Sequence, residues 1–276
     1  MDTSTEKASV TMKASSQYGV KTSDGERLIW WRTVADEDHW HERFTESVAY
    51  VPDVARGSVN SSMVRLILKH MPKQGRILEA GCGSGWLVKL MRDAGYDAEG
   101  VDYSKELVAS VNQAYPDLPV RFGDVTALDV PDHTYSGYIS LGVIEHRWEG
   151  CGPFLIEAKR VMQPGGMLFF SVPYFNGLRK NQYAGTIDND PKRHDDFYQY
   201  GFDEPFFRKA IAASGLELVT FEQYGLRRGL QEEMPQFQRL INSRIGKSLL
   251  DSVENNGIAL NFAAHMIVAV ARQPKG

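Results

Sequence analysis

The run Ile77-Leu78-Glu79-Ala80-Gly81-Cys82-Gly83-Ser84-Gly85 carries an apolar strand straight into three glycines, and an amphipathic helix starts at once. Glycine admits φ > 0 and lets a ligand come close to the backbone, while a helix start presents N–H groups without intrahelical partners. A nucleotide-type cofactor suits such a turn. A plain tight turn suits it too, and the run alone leaves both open. Its spacing does exclude one cofactor class. A dinucleotide fingerprint needs G-x-G-x-x-G, but the third position falls on Trp86 counted from Gly81 and on Val88 counted from Gly83. What remains is acidic-x-G-x-G-x-G with Glu79 at the strand end, a carboxylate that would repel pyrophosphate and suit a ligand bearing an ammonium group.

Two further carboxylates follow at strand ends. Asp102, in Gly100-Val101-Asp102-Tyr103, stands where a side chain can accept from ribose hydroxyls; its alternative is a helix cap. Asp124, in Phe122-Gly123-Asp124-Val125, can accept from an adenine amine while Val125 offers its backbone N–H to the ring; its alternative is a turn residue. Glycine turn, ribose acid and adenine acid in this order fit S-adenosylmethionine, whose methionine end carries an amino group and a sulfonium.

These residues need a scaffold that brings strand ends together. From about Ser61 onward, strand-like and helical patterns alternate, as in βαβ units around a parallel sheet. Strands are expected at Arg76–Ala80, Ala98–Asp102, Val120–Gly123, Gly137–Leu141, Met167–Val172, Leu216–Phe221 and His265–Ala271. Between them run stripes such as Leu87, Leu90, Met91 and Ala94, with Ser104 and Asp203 as N-caps. The expected fold is a Rossmann-like, doubly wound, seven-stranded, mostly parallel sheet with helices on both faces. Residues 1–60 read as an aromatic-rich N-terminal segment, partly disordered and then a helical lid. Residues 61–276 read as the cofactor-binding domain with insertions at 174–200 and 225–262, the latter holding a helix with Phe237, Leu240, Ile241 and Ile245. Each extra segment can cover the ligand crevice at the carboxyl ends of the strands, pack outside, or mediate dimerisation.

The 276 residues suffice for one sizeable core, and 42% hydrophobic with 24% charged residues is ordinary for a globular protein. A net charge of -4 with scattered Lys and Arg argues against nucleic acid as a partner. No run approaches the roughly 18 apolar residues of a membrane span, and Met1–Val20 lacks the apolar core of a secretory signal. Cys82 and Cys151 give neither a disulfide framework nor a metal cluster, so no metal is expected and a reducing cytoplasm fits.

With Glu79–Gly85, Asp102 and Gly123-Asp124, the runs Ser140-Leu141-Gly142-Val143-Ile144-Glu145-His146 and Arg160-Val161-Met162-Gln163-Pro164-Gly165-Gly166 resemble class I S-adenosylmethionine-dependent methyltransferases. The branch that includes ubiquinone-biosynthesis-type small-molecule enzymes is the nearest in pattern. The resemblance covers about residues 60–175, and less firmly 195–272. It implies that Glu79 and the turn Gly81, Cys82, Gly83 hold the methionine end, Asp102 the ribose, Tyr103 a side of the adenine, and Asp124 and Val125 its edge. Leu141 would line the transfer pocket. One departure is Tyr135-Ser136, where the branch often has an aromatic-Asp pair.

The implied activity is methyl transfer to oxygen or nitrogen of a small-molecule acceptor, with S-adenosylhomocysteine as product. Alternatives are methylation of RNA or protein, or a methyltransferase-like subunit that only binds. The fourth strand lacks the Asn/Asp-Pro-Pro-aromatic motif of base-amine methylation, and a scaffold needs neither the glycine turn nor the carboxylates. His146 is the candidate general base because imidazole titrates near neutrality; its alternative is to order the pocket wall. Trp30, Trp31 and Trp40 can stack on an acceptor, and His194 and Tyr198 form a polar–aromatic group that either approaches it or lies in a solvated loop. A homodimer is left open.

Overall fold

The computed structural model describes residues 20–31, 44–188, 190 and 195–275. Trp40 and His194 therefore lie outside the described residues. The central sheet has seven strands: β3 (Arg76–Ala80), β4 (Asp97–Asp102), β5 (Val120–Phe122), β6 (Tyr135–Leu141), β7 (Met162–Pro173), β9 (Glu217–Tyr224) and β10 (Met266–Arg272). Their order is β5-β4-β3-β6-β7-β10-β9, with β10 antiparallel to both its neighbours and the other pairs parallel. The chain starts at β3 in the middle, winds outward to β5, then returns past β3 to β6. That reversal opens a crevice between the carboxyl ends of β3 and β6, where open α/β sheets take ligands.

Helices cover both faces because the strands are apolar on both. On β3, Leu78 and Ala80 enter one buried cluster and Ile77 the other, the period-two alternation of a strand sandwiched between layers. The helix after the glycine turn, α3 (Trp86–Asp93), buries Leu87, Val88, Leu90 and Met91 in the second cluster. The following α4 (Lys105–Ala114) is capped by Ser104, whose hydroxyl accepts from Leu107 N. Among the described residues, no helix is long and apolar enough to cross a membrane.

The segment expected to be a helical lid differs in kind. Residues 44–58 are largely helical, including α1 (Val51–Ser58), and α2 (Ser62–His70) follows; but β1 (Val20–Ser23) and β2 (Leu28–Trp31) form an antiparallel hairpin. The hairpin pairs through β2 with β8 (Phe197–Gly201), so the N-terminal segment and the first insertion build one small sheet. The reason is that Leu28-Ile29-Trp30-Trp31 is apolar on both faces of a strand: Ile29 and Trp31 enter the main core, and Leu28 and Trp30 a separate cluster with Phe175 and Tyr198. The second insertion is broken rather than one helix. After α5 (Gly152–Val161), α6 (Gly177–Tyr183) and α7 (Glu204–Ala213) come α8 (Leu226–Glu233), α9 (Gln238–Asn242), α10 (Arg244–Val253) and α11 (Gly257–Ala263). Ser243 is extended and caps α10 by accepting from Gly246 N, which ends the run that Leu240 and Ile241 began. Only Ile241 of the expected stripe is buried.

Candidate functional site

The glycine turn joins β3 to α3 with Gly81, Gly83 and Gly85 all at positive φ, at 79°, 52° and 77°. Gly81 and Cys82 donate their N–H groups to Val101 O at 2.8 and 3.0 Å. Gly83 N donates to Asp102 Oδ2 at 2.7 Å, and Ser104 N to Oδ1 at 3.0 Å. The amides of the turn are thus engaged inside the protein. What the turn offers a ligand is closeness: an added Cβ at Gly81 would stand 2.4 Å from Val143 Cγ2, whereas at Gly83 the nearest atoms are the Phe44 ring at 3.8 Å.

A cavity of about 380 Å3 opens beside this turn, within the size of a small-molecule site. Glu79, Gly81, Cys82, Gly83, Asp102, Tyr103, Asp124, Val125, Leu141 and His146 all line it. Glu79 is buried, and Val88 N donates to its Oε2 at 3.0 Å. Burial, with some repulsion from Asp102, pushes its carboxyl well above the usual range against that hydrogen bond. No Lys, Arg or His among the described residues lies within ion-pair distance of Glu79. Burial likewise raises Asp102, opposed by its backbone donors. Asp124 goes the other way. Burial would raise it, but the Thr126 hydroxyl and amide and the Arg147 guanidinium, 3.1 Å from Oδ2, outweigh that and lower it. Its Oδ1 accepts from Thr126 N and Oγ1, so the turn role is met in the fold.

A second cavity of about 240 Å3 adjoins the first, sharing Phe44, Leu141, Gly142 and His146 as wall. His146 Nδ1 lies 2.9 Å from Tyr198 O. A carbonyl only accepts, so Nδ1 carries the proton and Nε2 the lone pair in the neutral ring. Nε2 is 3.9 Å from Glu145 Oε1. Trp30 and Tyr198 also line this cavity. Trp31 does not; it packs 5.9 Å from Trp148, and its Nε1 donates to Thr22 Oγ1 at 2.6 Å.

Residues 78–170 match the family model described as a methyltransferase domain. A probable S-adenosylmethionine-dependent methyltransferase of Mycolicibacterium smegmatis is 32% identical over 149 residues, covering 54% of this chain and 50% of that protein. A malonyl-[acyl-carrier protein] O-methyltransferase of Buchnera aphidicola is 31% identical over 41% of this chain and 46% of its own length. The chain thus spans half or less of the length of these curated relatives. A solved S-adenosylmethionine-dependent methyltransferase from Mesorhizobium loti shares the fold, with TM-score 0.54 and 16% identity over 77% of this chain and 98% of that one.

Residues 78–170 carry a methyltransferase domain. The residues lining the first cavity fit S-adenosylmethionine as its cofactor. Among the described residues the buried Glu79 carboxyl has no cation within ion-pair distance, which suits an arriving ammonium. The Asp102 carboxylate accepts from the backbone of Gly83, Ser104 and Tyr103, and two oxygens with about four lone-pair sites leave room for a hydroxyl. An added Cβ at Gly83 would sit in ordinary contact with the Phe44 ring, on the wall of the same cavity.

Two residues of the site escaped sequence reading. Arg147, neutralising Asp124, belongs to a loop with no local pattern. Glu145 is 1% exposed, and among the described residues its Oε2 has no hydrogen-bond partner; adjacency to His146 is its signal in the sequence. Burial pushes the Glu145 carboxyl up to about 8, against its own backbone N–H. The folded protein therefore holds a proton that the unfolded chain loses above its ordinary 4.5. The stability this confers is complete below that value and is lost as pH rises toward 8, by up to about 5 kcal/mol. Urea unfolding at pH 5 and pH 8 checks it: Glu145→Gln, a permanently neutral isostere, is expected to flatten the fall. An equal fall in both proteins would refute it. At the strand end, Asp102→Ala is expected to weaken S-adenosylhomocysteine binding by about tenfold or more if its carboxylate meets the ligand; wild-type affinity by calorimetry would remove Asp102 from the site.

Proposed function

We propose that the protein transfers a methyl group from S-adenosylmethionine to an oxygen or nitrogen of a small-molecule acceptor, the acceptor sitting in the second cavity. The observation that carries this is the contact between two cavities of different chemistry across Leu141, Gly142 and His146. One has a buried carboxyl with no cation beside it among the described residues and a strand-end aspartate; the other has aromatic walls and a histidine at the junction. Curated relatives named as malonyl-[acyl-carrier protein] O-methyltransferase and demethylmenaquinone methyltransferase support the reaction class.

Bound S-adenosylmethionine supplies an electrophilic sulfonium methyl. The chain's own task is to align the acceptor and manage its proton. Glu79 holds an ammonium, Asp102 a pair of hydroxyls, and Val125 a ring edge. His146 Nε2 takes the acceptor's proton, its ring fixed by Nδ1–H donating to Tyr198 O. Tyr198, buried and edge-on to His146 at 5.2 Å, packs that ring in place.

Calorimetry with S-adenosylhomocysteine tests the cofactor half; an unchanged melting curve at millimolar ligand would count heavily against it. Incubation with methyl-labelled cofactor and a cell extract, followed by mass spectrometry, then identifies the acceptor. Label recovered in tRNA or protein, with none in small molecules, would replace the small-molecule reading.

A further inference from the structure

The second cavity is chemically lopsided. Its wall includes Glu145 beside the junction residues Gly142 and His146, with Glu145 Oε1 3.9 Å from His146 Nε2. Apolar walls follow, including Trp30, Pro173 and Met266. At the other end are Arg228, Glu232 and His265.

That end belongs to a charge network whose sum is positive. Lys21 is 2.9 Å from Glu232 and 2.6 Å from Glu233. Arg179 is 2.8 Å from Glu233 and 3.4 Å from Glu232. His265 Nδ1 is 3.0 Å from Glu232 Oε2, and Arg228 Nε donates to His265 Nε2 at 3.3 Å. Nε2 can accept only if Nδ1 bears the proton and the ring is neutral. Burial and the nearby Arg179 and Arg228 lower His265 in spite of Glu232, which agrees with a neutral ring. Lys21 and Arg179 are thus balanced by Glu232 and Glu233, and the charge of Arg228 is left over. Among the described residues no carboxylate stands within ion-pair distance of Arg228, and His265 orients its guanidinium at the cavity wall.

We propose that the second cavity takes a small organic acid whose carboxylate pairs with Arg228 and whose polar reacting group reaches Glu145 and His146 at the junction. This rests on the methyltransferase reading and adds the acceptor's charge and its direction of entry. A monoanion matches the single uncompensated guanidinium. A cationic acceptor would meet the same charge unfavourably, and a neutral one would leave it unpaired. Glu145 and His146, side by side in the wall at the junction, call for a hydroxyl or similar polar atom at that end.

Three probes on one skeleton test it: 4-hydroxyphenylacetate, 4-hydroxyphenylacetamide and tyramine, titrated by calorimetry into protein saturated with S-adenosylhomocysteine. The acid is expected to bind about tenfold or more tighter than the amide and tyramine. Arg228→Gln, a change at an exposed side chain, is expected to erase that preference and leave the amide's affinity unchanged. The proposal is overturned if tyramine or the amide matches the acid, if the preference survives Arg228→Gln, or if none of the three binds. S-adenosylhomocysteine is titrated first, so its failure to bind would instead bring down the underlying methyltransferase reading.

Discussion

Arg179→Met is expected to destabilise the protein by about 3–5 kcal/mol, the cost of breaking a buried charge pair from one side. Arg179 is fully buried, so solvent does not screen its interactions. Its Nε donates to Glu233, and its Nη1 to Tyr174 O at 2.7 Å and His265 O at 3.0 Å. Methionine matches the stem but donates nothing, leaving the Tyr174 carbonyl without its donor, the His265 carbonyl with only Tyr174 N, and Lys21 alone against two buried carboxylates. The loss reaches far along the chain, because these contacts join β1, α6, α8 and the start of β10. Urea unfolding followed by circular dichroism gives the number; a loss under about 1 kcal/mol would show that solvent or repacking replaces the network. The second cavity shares this wall through Glu232 and His265, so acceptor binding should weaken along with stability.

His146→Asn is expected to lower kcat by roughly 10²-fold or more with the acceptor that labelling identifies, the usual range for a positioned acid or base. Asparagine can still donate a hydrogen bond toward Tyr198 O, so the loop stays in place while the base is removed. S-adenosylhomocysteine affinity should change little, since the groups assigned to its methionine, ribose and adenine parts are elsewhere. The pH profile separates the two roles of this side chain. If His146 takes the proton, the acidic limb of kcat against pH disappears in the variant. If it merely orders the wall, kcat falls while the limb persists. Wild-type turnover in His146→Asn would remove it from the chemistry, as would be natural for an acceptor already ionised at neutral pH.

The cofactor side was legible because it is local. Strand, glycine turn and helix are contiguous from Ile77 to Asp93, and a turn that needs three positive-φ residues can be written only with glycine or a close substitute. Asp102 and Asp124 are legible for a related reason: in a parallel sheet wound outward from β3, successive strand ends must lie side by side. Asp102 also shows where such reading stops. Its carboxylate ties down Gly83 and Ser104 and lines the cavity, while the helix cap expected of it as an alternative falls to Ser104.

The acceptor side depends on tertiary structure. Trp30 and Trp31 are neighbours of one residue type, yet the strand sends one to the second cavity and the other into the core, because successive side chains leave opposite faces. The sequence alone determined the sheet, the turn and the cofactor class, all consequences of periodicity and of what glycine permits. The folded chain decided which charges are buried and which are balanced. Among the described residues, Glu145 became a buried acid with one oxygen unpartnered, and Arg228 a cation of the network without a carboxylate of its own. Burial and long-range pairing are properties of packing, and no short stretch of residues encodes them.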